Sequence, residues 1–131
     1  MLSFNEFGDM ADRLTEELPE EFFDELSGGV ILNPQVKYHE QSRPGDPLYI
    51  LGEYCRDNTG RYILLYYGSF QRVYWGLPDN VLEQKLRSVI RHEFRHHLEF
   101  RAFVRDLEHE DEDYLEEYRL GYCSNRDVDG E

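Results

Sequence analysis

The chain is 131 residues long and carries 28 acidic against 14 basic residues, a net charge of −14. That length fits one domain, residues 1–131, and the 40% hydrophobic and 15% aromatic content can fill a single core, which excludes global disorder. The charge has the wrong sign for phosphate attraction and so speaks against nucleic acid and anionic membrane surfaces, while no apolar stretch approaches the roughly 20 residues that span a bilayer.

In chain order, Ser3 and Glu6 have capping-box spacing, and Phe4, Phe7, Met10, Ala11, Leu14 and Leu18 recur at helical intervals, which predicts a first helix over about 4–17. Pro19 suits the first turn of a second short helix, EEFFDEL, stopped by Gly28-Gly29, with Phe22, Phe23 and Leu26 facing the core. From 30 to 74 the period shortens. Val30-Ile-Leu, Val36-Lys-Tyr, Tyr49 to Cys55 and Tyr62 to Tyr67 read as short strands, and Phe70 to Trp75 as a further strand or extended segment. Asp57-Asn58-Thr59-Gly60 reads as a hairpin turn with a loop longer than two residues. Asn80 and Glu83 then have N-cap and N3 spacing for the main helix, whose stripe runs through Leu82, Leu86, Val89, Ile90 and Phe94. An acidic segment, Glu108 to Glu117, follows and reads as a solvated helix face.

Cys55 and Cys123 are far apart and form no CxxC, so a reduced chain is expected, with neither a disulfide framework nor a cysteine zinc cluster. The acidic N-terminus lacks the basic region and apolar run of a signal peptide, so a soluble, cytoplasmic protein is expected.

Near the end of the main helix, His92-Glu93-Phe94-Arg95-His96 matches H-E-x-x-H. On a helix, residues four apart are separated by about 400° and about 6 Å, so His92 and His96 project from one face at a spacing that two nitrogens of a tetrahedral zinc site require. Glu93 can reach a metal-activated water rather than the metal, and a carboxylate there can take its proton for attack on a carbonyl. The same residues also suit a solvated helix laced with ion pairs. His97 points about 100° away from His96 and is expected to pack or hydrogen-bond. His39 and His109 have no partner at ligand spacing, and Tyr66 and Tyr67 are core or cross-strand residues by default.

LPEEFFDEL, YILGEYCRDNTGRYILLYYGSF, GLPDN and LRSVIRHEFRHHLE together resemble the minimal zincin-like bacterial metallopeptidases over most of the chain, about residues 4 to 118. The resemblance implies an α+β, zincin-like fold: N-terminal helices, a small curved mixed β-sheet and a long HExxH active-site helix. It implies His92 and His96 as zinc ligands and Glu93 as the catalytic base. Many relatives continue with a glycine and then an aspartate, where this chain has Glu99 and Ala102. A subgroup with a longer connection turns at a glycine where this chain has Phe103, which makes Asp106 and Glu108 the nearest candidates for the third ligand. Asp106 is preferred, because a helix break after Ala102 would return its short side chain to the metal, and Glu99 is the alternative one turn beyond His96.

The function expected is that of a zinc metallopeptidase, hydrolysing peptide bonds of a peptide or protein substrate that pairs with a sheet edge. The alternative is a non-catalytic zinc-binding or protein-interaction module on a zincin scaffold.

Overall fold

The computed structural model describes residues 1–107 and 122–130. Helix α1 spans Phe4–Thr15, opened by a complete Ser3/Glu6 capping box, and buries Phe7, Ala11 and Leu14. Strands β1 (Gly29–Asn33), β2 (Leu48–Asp57) and β3 (Gly60–Tyr66) follow, then helices α2 (Tyr67–Tyr74) and α3 (Asp79–Leu107), and finally strand β4 (Tyr122–Gly130). The sheet order is β1-β3-β2-β4, with β1 parallel to β3 and the other two pairs antiparallel. Leu82, Leu86, Val89, Ile90 and Phe94 of α3 are buried in one core with Leu51, Tyr54, Ile63 and Leu65 of the sheet and Phe7 and Leu14 of α1. Gly52 permits α3 to lie close against β2, since a Cβ there would sit 2.8 Å from Val89 Cγ1.

The expected zincin-like layout is corrected to an α+β fold with, among the described residues, three α-helices and a four-stranded mixed sheet. EEFFDEL does not make a second α-helix: only Glu20–Phe23 form a single 3-10 turn, and of the three expected core residues Leu26 is buried and Phe22 partly so, while Phe23 is exposed and meets Phe94 edge-on. Val36-Lys-Tyr makes no strand, only an isolated bridge from Tyr38 to Tyr49. The hairpin loop has two residues, because Asp57 pairs with Gly60 and Asp57 Oδ1 accepts the Thr59 backbone N–H at 2.8 Å. Residues 67–74 are helical rather than extended. Their buried aromatics, Tyr67, Phe70 and Tyr74, follow a period of three to four, and Gly68 lets the turn press against the Gln35–Val36 backbone, 2.5 Å from where a Cβ would lie. Helix α3 starts at Asp79, so Asn80 lies inside its first turn rather than before it.

Two corrections bear on the site. First, α3 does not break after Ala102 but continues to Leu107. Second, Cys55 and Cys123 form a disulfide, because β2 and β4 run antiparallel with these two residues as direct partners. The reduced state expected from their spacing is therefore not what the fold contains. Glu108, His109 and the acidic run to Glu117 lie outside the described residues. Among the described residues, no helix is long and apolar enough to cross a membrane.

Candidate metal centre

His92, Glu93 and His96 all stand on α3. The imidazoles of His92 and His96 meet edge to face, with their Nε2 atoms 2.9 Å apart. Behind each ring lies a carboxylate: Asp127 Oδ1 is 2.5 Å from His92 Nδ1, and Glu99 Oε2 is 3.5 Å from His96 Nδ1. Burial, then the neighbouring His92, lowers the His96 pKa below the ordinary histidine value.

Asp127 arrives from β4, and the sheet register explains how. Opposed residues of an antiparallel pair project to the same face. Asp127 pairs with Gly52, the glycine against which Val89 of α3 packs, so its side chain points at α3. The pairing shifts register on both sides of Gly52, which sets Asp127 within an irregular stretch of ladder. Two anchors fix the strand around it. At one end is the disulfide; at the other, Tyr74 Oη donates to Asp129 Oδ2 at 2.9 Å and Lys85 Nζ lies 3.7 Å from the same oxygen.

Glu93 is fully buried, and neither of its carboxylate oxygens has a hydrogen-bond partner among the described residues. One oxygen lies within 4.8 Å of ligand atoms of both His92 and Asp127. Burial first, and then the Asp127 carboxylate, push its pKa well above the usual carboxylate range.

These residues fit a divalent cation. Two Zn–N bonds of tetrahedral zinc place their nitrogens roughly 3.3 Å apart, so the 2.9 Å Nε2 pair needs only a small opening. A cation bound by both Nε2 lone pairs leaves an N–H on each Nδ1: that of His92 meets Asp127, the carboxylate–histidine arrangement that orients metal ligands, while His96 Nδ1 lies 3.5 Å from Glu99 without a hydrogen bond. It would also supply the positive charge that a buried carboxylate such as Glu93 lacks.

Asp106 is not part of this group. It is exposed on the unbroken helix, about 15 Å of helical rise beyond His96, and its assignment as third ligand is corrected. Glu99 is near the pair but on the Nδ1 side of His96. Sequence reasoning missed Asp127, because a lone aspartate in SNRDVDG carries no metal-ligand spacing relative to α3; only its register opposite Gly52 identifies it.

His97 is a core histidine. Its Nε2–H donates to the Asp24 carbonyl at 2.8 Å and its Nδ1 accepts from Tyr54 Oη at 2.7 Å, a tautomer consistent with its buried, lowered pKa and with a Tyr54 hydroxyl pushed up to about 12 by burial. Tyr66 donates to Glu53 at 2.6 Å and Tyr67 donates to the Leu2 carbonyl, so both hydroxyls are committed to structural bonds. His39 lies in the connection between β1 and β2, where its Nδ1 accepts the Gln41 backbone N–H at 3.0 Å.

No family model and no curated protein matches the chain. Among solved structures it is similar to a conserved hypothetical protein from Thermus thermophilus, with 33% sequence identity and a TM-score of 0.63 over 76% of this chain and 97% of that one. That description carries neither a zincin fold nor an active-site helix, so the fold class stands as α+β with a mixed sheet. With a third of positions identical along nearly the whole of that protein, the chain belongs to the same family as the Thermus protein.

Proposed function

We propose that this protein is a zinc-dependent hydrolase of peptide bonds, with His92 and His96 holding the metal through Nε2, Asp127 fixing the His92 ring through Nδ1, and Glu93 as the proton-accepting base. The observation that carries the reading is the buried Glu93 carboxylate, without a hydrogen-bond partner among the described residues, beside His92, whose Nε2 is aimed at that of His96. A buried carboxyl without a partner is costly, and a cation beside it would supply the positive charge that favours its ionised form. Zinc at such a site polarises a carbonyl and acidifies water. Glu93, one residue from a ligand, would take a proton from the attacking water and return it to the leaving amine. The local resemblance to minimal zincin-like metallopeptidases supports the same roles for His92, Glu93 and His96.

A non-catalytic zinc site is the second reading. It is favoured by one observation: among the described residues no third carboxylate or imidazole meets the two Nε2 atoms from their own side. As to compartment, a cytoplasmic setting fits the disulfide only if that bond forms and breaks there, as redox-active cytosolic disulfides do.

Metal analysis of untagged protein purified without chelator tests the site. About one equivalent of zinc is expected, lost in His92→Ala and in His96→Ala, with affinity reduced by about 10–100-fold in Asp127→Asn, the scale for removing an outer carboxylate. Full zinc occupancy in both histidine variants would sink the assignment. Glu93→Gln then separates the two readings: retained zinc with hydrolysis of a peptide library lowered by a factor on the order of 10² supports the enzyme, whereas zinc without cleavage by the wild type supports the binding module.

A further inference from the structure

His92 and Asp127 of the candidate centre, though not His96 or Glu93, also line a surface cleft of about 470 Å³ together with Arg87, Ser88, Arg91 and Arg95. Three guanidinium groups therefore border this cleft beside His92 and Asp127, in a protein whose net charge is −14. Their spacing on α3 is i, i+4, i+8, so each arginine has a like charge one turn away, an arrangement that destabilises a helix by itself. Only Arg87 is firmly neutralised: its Nε and Nη2 donate to the two Glu17 carboxylate oxygens at 2.9 and 3.1 Å. Arg91 reaches Glu17 at 3.7 Å with its side chain 58% exposed, and exposed Arg95 has no ion pair among the described residues. Asp127, the acid in the cleft, is already engaged by His92.

Resting on the hydrolase reading, we propose that this cleft binds peptides through a carboxylate, held by Arg91 and Arg95 one helical turn apart beside His92. Guanidinium groups bind carboxylates through paired, charge-assisted hydrogen bonds, and a local positive patch concentrates anionic ligands that the acidic surface elsewhere repels. The carboxylate has two sources in a peptide, an Asp or Glu side chain and the free C-terminus. Both are compatible with two arginines separated by one turn.

The test measures binding of short fluorescent peptides to Glu93→Gln protein, which keeps both histidines, with zinc content recorded for the same samples. One arm compares an internal Glu with Gln; the other compares a free C-terminus with its amide. In at least one arm the carboxylate form is expected to bind roughly tenfold tighter, the scale of one charge-assisted contact, with the advantage shrinking as salt rises. Arg91→Gln/Arg95→Gln should erase that advantage. Arg91→Glu/Arg95→Glu should turn the preference toward lysine-bearing peptides, with zinc content unchanged in both. Equal binding of charged and neutral forms in both arms, or an advantage that survives both double variants, would overturn the proposal. Loss of the hydrolase reading is scored separately, by zinc content and by wild-type cleavage, and leaves the binding comparison readable.

Discussion

Glu53 on β2 and Glu93 on α3 are both fully buried glutamates, yet their surroundings differ. Glu53 Oε1 accepts from Lys37 Nζ and from Tyr66 Oη, each at 2.6 Å, so its charge is paired and hydrogen-bonded. Glu93 has neither kind of partner among the described residues and faces a second carboxylate, Asp127. The first arrangement stabilises a fold; the second makes sense only where an ion, a water or a reacting group completes it. Burial alone does not separate a structural acid from a functional one, but the partners do.

The disulfide offers the largest lever on this contrast, because it fastens the strand that brings Asp127 to Glu93. Replacing both Cys55 and Cys123 by serine opens a loop with a sequence separation of 68, and should cost about 4 kcal/mol of unfolding free energy by the chain-entropy estimate. Urea titration measures it, and zinc affinity should fall in the same variant as β4 loosens. An unchanged midpoint would mean that β4 is held by its other contacts.

Next comes the direct comparison. Glu53→Ala strands Lys37 and Tyr66 and should cost about 3 kcal/mol, at the low end for a broken buried pair since the Lys37 side chain is 36% exposed. Glu93→Gln should leave the urea midpoint about equal, because it replaces a buried carboxyl that has no hydrogen-bond partner among the described residues by a neutral amide of similar shape, while removing the base. If Glu93→Gln proves as destabilising as Glu53→Ala, Glu93 is a structural acid and the contrast collapses.

His97→Phe sharpens the same distinction among the histidines. It gives up the bonds to Tyr54 and Asp24 in a buried setting and should cost about 2 kcal/mol, since both partners are left unsatisfied. Zinc stoichiometry should not move. The smallest effect belongs to Asp106→Ala, an exposed change expected within about 0.5 kcal/mol, again with zinc unchanged. Zinc lost on Asp106→Ala would restore that residue to the site against its position on the helix.

The helical half of the site is legible in the amino-acid order alone. His92, Glu93 and His96 are neighbours in sequence, and a helix converts their spacing into a shared face by local geometry. The capping box at Ser3 and the β2–β3 hairpin are legible for the same reason: the contacts that define them join residues close in the chain. Helix α2 is not, because its aromatic residues suit strand and helix alike and close packing of Gly68 favours the helix.

What only the tertiary structure decided is everything that β4 contributes. Its residues show no alternating apolar pattern; they form a strand because β2 offers an edge, and the disulfide and Asp129 contacts hold them there. Asp127, the pairing of Cys55 with Cys123 and the partners that distinguish Glu53 from Glu93 all depend on contacts between residues distant in sequence. Periodicity and spacing encode local geometry; the pairing of remote segments is set by the free energy of the whole packed chain.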